Sequence, residues 1–228
     1  MTEQRKRIAD DMARVPMTAP GYLEYEAPGY NLTEMLRYSG FPAEKAIGIA
    51  KGHIQDETAI AMTEKVRSLA EKELRFRVEY LMVTLSFDAD GFPVLPFPQH
   101  SESLKSNLSG CHTVLLFAAT VGAGIDRLIR RYESTDANTA LYLQGCGAER
   151  AESLCDTFEK DVASAAQSCG MWTRPRFSPG YGNLPLSVQK DFLILLNAEK
   201  RLGITLGASY LMSPSKSVTA IIGIGKDE

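Results

Sequence analysis

The sequence predicts an α+β fold, and three observations carry that reading. Residues 113–120 (TVLLFAAT) are a continuous apolar run of strand length, which suits a central strand covered on both faces. Residues 137–168 read as one long helix, and shorter helical stretches precede it. The few strand-like segments do not alternate regularly with helices, which argues against a repeating βαβ sheet. With 228 residues the chain is one large domain or two small ones, at about 150 residues per domain. A chain of this length buries enough surface to fold without a disulfide or a metal.

Each element has its own justification. Residues 1–29 carry Pro16, Pro20-Gly21 and Pro28-Gly29 without sustained periodicity, and read as an N-terminal arm, packed or loose, ahead of a body at 30–228. Asn31 can cap a short helix over 32–39, which Gly40 ends. In 56–74, Ile60, Val66, Leu69, Ala70 and Leu74 place apolar groups along one buried stripe of a helix. Residues 75–87 alternate, Phe76, Val78, Tyr80 and Met82 against Arg77, Glu79 and Leu81, which predicts a strand polar on one face at its start. Asp88-Ala89-Asp90-Gly91 is a turn, and 92–97 returns as an edge strand, because its prolines cannot donate to a ladder. Ser101 starts a capped helix over 101–108. After the central strand, Val121-Gly122-Ala123-Gly124 turns the chain into a helix over 125–132. In the long helix that follows, Gly145 and Gly147 leave room for a break. Residues 171–186 are irregular, Ser187 caps a helix over 188–202 closed by Gly203, and strand-like segments at 205–212 and 217–224 finish the chain.

Lys and Arg total 25 against 28 Asp and Glu, a formal net charge of −3, which argues against nucleic-acid binding through a basic surface. No apolar run approaches the roughly 18 residues of a membrane helix. Arg5-Lys6-Arg7 precedes no apolar stretch, so no secretory signal is expected. Cys111, Cys146, Cys155 and Cys169 form no CxxC pair, and free thiols in a reducing cytoplasm are the expectation.

Most motif readings are bland. Gly122-Ala123-Gly124 after a strand invites a dinucleotide reading, but the third glycine of that fingerprint is absent, leaving a plain strand-to-helix turn. His100, Cys111 and His112 lack the spacing of a ligand set, so no metal site is expected. No Gly-x-Ser-x-Gly elbow or triad context occurs, and hydrolase chemistry has no support. Glu149, Arg150, Glu152, Asp156, Glu159 and Asp161 on the long helix read mostly as solvated surface. The exception is residues 172–182 (WTRPRFSPGYG). Two arginines, stiffening prolines and permissive glycines make a loop that can approach a ligand. An arginine there can clamp a carboxylate or phosphate, and Tyr181 can lie against a flat ligand.

These residues carry a resemblance. Arg176-Phe177-Ser178-Pro179-Gly180-Tyr181, then a helix ending Glu199-Lys200-Arg201-Leu202-Gly203, then Met212-Ser213-Pro214-Ser215-Lys216-Ser217-Val218, resembles the activation domain of cobalamin-dependent methionine synthase. The stretch from Ala118 to Asp126 and the helix containing Ala151-Glu152 are similar to it as well, so the likeness runs from about Ser101 to the C-terminus. Thr33-Glu34-Met35-Leu36-Arg37-Tyr38-Ser39-Gly40-Phe41 resembles the free-standing relatives of that module. After Tyr181 the chain departs: Gly182–Ser187 keeps only the second proline of the family loop and lacks its cysteine and histidine.

The resemblance implies a single domain with a helical N-terminal part and a bent antiparallel sheet. It implies a module that binds S-adenosylmethionine and places its methyl group for reductive methylation of cob(II)alamin. No Asp-x-His-x-x-Gly motif occurs, so the cobalamin is expected on a partner, a cobalamin-binding methionine synthase or related corrinoid protein. The electron would come from flavodoxin or ferredoxin. Matched residue by residue, Arg176 would hold the methionine carboxylate and Glu152 the amino group. Ser178 would meet the ligand through its backbone, in the loop with Gly180, and Tyr181 would flank it. The protein would supply no catalytic nucleophile and be inactive alone. The alternative is a non-catalytic docking or scaffold protein for another corrinoid methyl-transfer protein.

Overall fold

The computed structural model describes residues 2–226. Five strands form one antiparallel sheet in the order β1 (Gly21–Tyr25), β2 (Phe76–Thr84), β5 (Thr113–Thr120), β9 (Ser217–Lys226), β6 (Met171–Thr173). The apolar run of β5 is central because both its faces are covered, and Val114 to Thr120 are all buried. Alternation sorts the side chains. Val78, Tyr80, Leu115, Phe117 and Ile222 face one core, and Leu81, Leu116, Ala118 and Ile221 face the other.

The first core is roofed by α1 (Glu3–Met12), α2 (Leu32–Tyr38), α3 (Ala43–Ala50), α4 (Glu57–Glu71), α6 (Gly124–Glu133) and above all α7 (Ala137–Ser168). Phe158 of α7 packs its ring 5.8 Å from Tyr80 and 5.0 Å from Phe117. The second core lies under α5 (Glu102–Asn107), α8 (Gln189–Leu195) and α9 (Ala198–Leu202), with Phe192, Leu196 and Leu202 filling it. Two small hairpins, β3 (Ser86–Phe87) with β4 (Pro93–Val94) and β7 (Thr205–Leu206) with β8 (Met212–Ser213), stand outside the sheet. The sheet is curled and antiparallel, as expected. No helix among the described residues is long and apolar enough to cross a membrane.

Local chemistry explains most boundaries. Asn31, Asp56 and Ser101 each accept a hydrogen bond from the backbone N–H three residues on, which caps α2, α4 and α5. The expected break in α7 is absent. Its two glycines serve close approach instead: a Cβ at Gly145 would meet the α2 C-terminus at Ser39 and Met35, and one at Gly147 would come within 3.1 Å of Lys216 Cγ.

The expected single helix over 188–202 is two helices. Asn197 adopts a left-handed conformation (φ 52°) that starts α9 on a new axis, which asparagine tolerates better than most residues. Ser187 lies within a 3-10 turn (Leu186–Val188) and caps nothing. The edge strand at 92–97 shrinks to two residues, and β6 and α3 arise where no regular element was expected. Residues 3–25 supply α1, packed on α7, and the edge strand β1.

Candidate ligand-binding site

The site grows from α7 and the chain that returns beside it. Glu152, Asp156 and Glu159 fall at i, i+4 and i+7, on one face of the helix. After α7 the chain runs out along β6, and Phe177 rejoins the sheet by a two-way backbone bridge to Ile221 (2.8 Å each way). That bridge places Arg176 against the acidic face. The Arg176 backbone N–H donates to Glu159 Oε1 at 2.9 Å. Its Nη1 donates to Glu159 Oε2 and to Asp156 Oδ1, both at 2.7 Å, and its Nη2 to Glu152 Oε2 at 2.9 Å. Burial pulls the Arg176 pKa down, but the Asp156 hydrogen bond and the nearby Cys155 and Glu159 more than reverse it, so the guanidinium is firmly charged.

Two shallow clefts flank this cluster. One, of about 190 Å³, is lined by Tyr38, Ala148, Ala151, Glu152, Lys216 and Val218. The other, of about 340 Å³, is lined by Asp156, Glu159, Ala163, Thr173, Arg174 and Pro175. Lys216 crosses α7 over Gly147 and donates from Nζ to Gln144 Oε1 at 2.7 Å. Burial lowers its pKa, opposed by Asp126. Arg174 turns the other way, donating to the Ser109 carbonyl and lying 4.9 Å over the Trp172 ring.

Of the residues read from sequence, the structure joins Arg176 and Glu152 directly. Ser178, Gly180 and Tyr181 form a tight turn beyond Phe177. The Ser178 carbonyl accepts from Tyr181 N (3.1 Å), and Gly180, at φ 88°, donates to the Leu184 carbonyl (2.9 Å). Tyr181 is 71% exposed, with its ring edge-on to Phe177. Among the described residues no hydrogen bond links this turn to Glu152 or to the Arg176 guanidinium. Asp156, Glu159, Lys216 and Tyr38 were not singled out from sequence. The i, i+4, i+7 spacing of the three acids was visible, but a solvated helix face has the same spacing.

The expectation that the other charged residues of α7 are solvated is wrong for Glu149, Arg150 and Asp161, which are 1%, 5% and 5% exposed. Glu149 accepts from the Asn31 N–H, Arg150 donates to the carbonyls of Pro28 and Gly29, and Asp161 takes Arg5 Nε and the Tyr25 hydroxyl. They clamp the N-terminal segment and are not site residues. A partly open cavity of about 430 Å³ beside Tyr30, Arg67, Cys146 and Arg150 belongs to the same clamp. The glycine turn before α6 is filled from the protein's own chain: a Cβ at Gly124 would collide with the Glu73 carbonyl, and the Glu73 carboxylate lies beside it. His100 stacks on Phe92, with ring centroids 3.7 Å apart.

No curated protein sequence matches the chain. Among solved structures, the MetH reactivation domain bound to AdoHcy is similar, with a TM-score of 0.66 at 14% identity, over 98% of this chain and 86% of that one. At that identity the likeness speaks for the fold. A family described as vitamin B12 dependent methionine synthase, activation domain, matches residues 102–227. That match takes in the central strand, α7, the Arg176 loop and β9, more than half of the chain and every element that builds the acidic clamp. The chain therefore belongs to the activation-domain family of vitamin B12 dependent methionine synthase.

Proposed function

We propose that the chain is a reactivation module that binds S-adenosylmethionine and holds its methyl group toward a cobalamin carried by a partner protein. One observation carries the reading. A guanidinium has five N–H donors, and the Arg176 side chain spends three on α7. Nε and one hydrogen of Nη2 remain, enough for two parallel bonds to one carboxylate. Glu152, already at the guanidinium, is the anion for the ligand's ammonium and sulfonium. Gly180 of the Ser178–Tyr181 turn lets backbone approach the ligand, and the exposed Tyr181 ring is free to flank its purine. AdoHcy in the related structure differs from S-adenosylmethionine by one methyl group, which fits this ligand class.

The partner's cobalamin supplies the electron-rich centre that accepts the methyl group. The chain's own work is to bind, orient and exclude water, which requires no nucleophile of its own. An external donor such as flavodoxin or ferredoxin provides the electron.

Calorimetric titration of the chain with S-adenosylmethionine tests the reading. Saturable binding is expected, weakened roughly ten- to hundred-fold in Arg176→Ala, as befits losing a charge-assisted contact of about 1.5–3 kcal/mol. Arg176→Lys should recover only part, since an ammonium cannot make the paired fork. Absence of saturation, with the chain alone and with a cobalamin-loaded partner, would overturn it in favour of the docking role.

A further inference from the structure

We propose that the charge of Asp156 opposes the ligand's carboxylate at Arg176, and so sets how sharply the site distinguishes carboxylate-bearing ligands. The inference rests on the reading of the site above. The three acids on Arg176 are not equivalent. Glu159 grips both the backbone N–H and Nη1 and is only 25% exposed, which makes it the anchor that positions the arginine. Glu152 reaches Nη2 from the cleft it shares with Lys216. Asp156 makes a single bond, to Nη1, and is the most exposed of the three at 53%. The anchor holds without it.

Its charge nevertheless acts on anything that approaches the guanidinium. A ligand carboxylate docking on Nε and Nη2 enters beside three carboxylates already there, and like charges this close repel. Removing the Asp156 charge relieves that repulsion. It also weakens the attraction for the ligand's cationic ammonium and sulfonium. The two effects separate when one ligand keeps its carboxylate and the other lacks it.

The experiment titrates the full chain and its Asp156→Asn variant with S-adenosylmethionine and with decarboxylated S-adenosylmethionine, which keeps the sulfonium, amine and purine. The preference for the carboxylate form should widen about two- to five-fold in the variant, the effect expected of one partly exposed charge pair. Asp156→Ala should widen it likewise, and thermal melts check that both variants fold. A preference that stays the same or narrows would overturn the inference while leaving the proposed function standing. If S-adenosylmethionine bound neither wild type nor variant, the proposed function would fall and take the inference with it.

Discussion

Glu79 has no exposed surface, in the middle of β2 on the face of the second core. Tyr22 on β1 and Ala118 on β5 are its register neighbours, Thr219 on β9 lies one strand further, and Arg77 is the next residue along its own face. Arg201 of α9 brings Nε to 3.0 Å from Oε1, but neither carboxylate oxygen receives a well-aimed hydrogen bond. Burial raises the Glu79 pKa to about 7, against the pull of Arg201. The native state therefore holds a proton that the unfolded state releases near pH 4.5, its ordinary value. Where the native state binds more protons, stability falls as pH rises. Glu79 thus favours the fold below its unfolded value, and that contribution is lost as pH climbs through about 7. Glu79→Gln removes the dependence. Its stability relative to wild type should rise from pH 5 to pH 8 by on the order of 2 kcal/mol, read from denaturant melts across that range. A difference flat with pH would mean that Arg201 keeps Glu79 ionised throughout. At this scale the sequence is a partial guide. Arg176 stood out because loop prolines and glycines gave it a reason to be there. Of its three carboxylates only Glu152 did, through the resemblance; Asp156 and Glu159 did not, because only the return of the chain to Ile221 decides which face of α7 meets an arginine.

At the scale of the element, α7 shows why helix propensity alone misleads. Glycine costs about 1 kcal/mol against alanine inside a helix, so two of them read as a weakness. The helix runs unbroken because each glycine lies where another element comes close. At Gly145 the obstacles are partly backbone, the Met35 carbonyl and Ser39 N–H, each 2.9 Å from a Cβ that would be added. At Gly147 they are side chains, the buried Ile125 Cγ1 at 2.9 Å and Lys216 Cγ at 3.1 Å, of which the lysine can turn aside. Overpacking against an element that cannot move costs about 1–3 kcal/mol. Gly145→Ala should therefore lower the melting temperature by a few degrees despite its better propensity, and by more than Gly147→Ala, whose added Cβ meets only side chains. A Gly145→Ala variant that melted higher than wild type would show that α2 is not held this tightly against α7. The break at Asn197 was hidden for a related reason. Phe192, Leu193, Leu196 and Leu202 keep a helical rhythm across it, and the left-handed residue that redirects the axis is marked only by being an asparagine.

For the whole molecule, composition and the apolar run at 113–120 made the α+β class and the central strand legible, because burial on two faces is written directly in residue type. The place of residues 2–25 was not legible, because their fixings lie far away in sequence. Ile8 and Met12 of α1 are buried in the first core, and β1 closes one edge of the sheet. Asp161 takes its partners Arg5 and Tyr25 from this segment, and the Tyr80 hydroxyl donates to Asp11 at 2.6 Å. Removing residues 1–25 would strip the burial of three large apolar side chains, Ile8, Met12 and Leu23, worth about 1.5–3 kcal/mol each. It would also leave the Asp161 carboxylate, 5% exposed in the intact chain, without those partners, at about 1–3 kcal/mol or more. The β2 edge would then be open to pairing with other chains. Together these losses rival the total stability of an ordinary domain, about 5–15 kcal/mol. The shortened chain should lose its cooperative thermal transition and near-ultraviolet dichroism and aggregate, whereas Arg5→Ala should cost only about 1 kcal/mol and keep both. A shortened chain that still melted cooperatively within a few degrees of the full one would make α1 and β1 an accessory to the fold. The nearly unexposed Asp161 on α7 argues against that: a charged group at so little exposure is tolerated only with partners, and Arg5 and Tyr25 of this segment supply them.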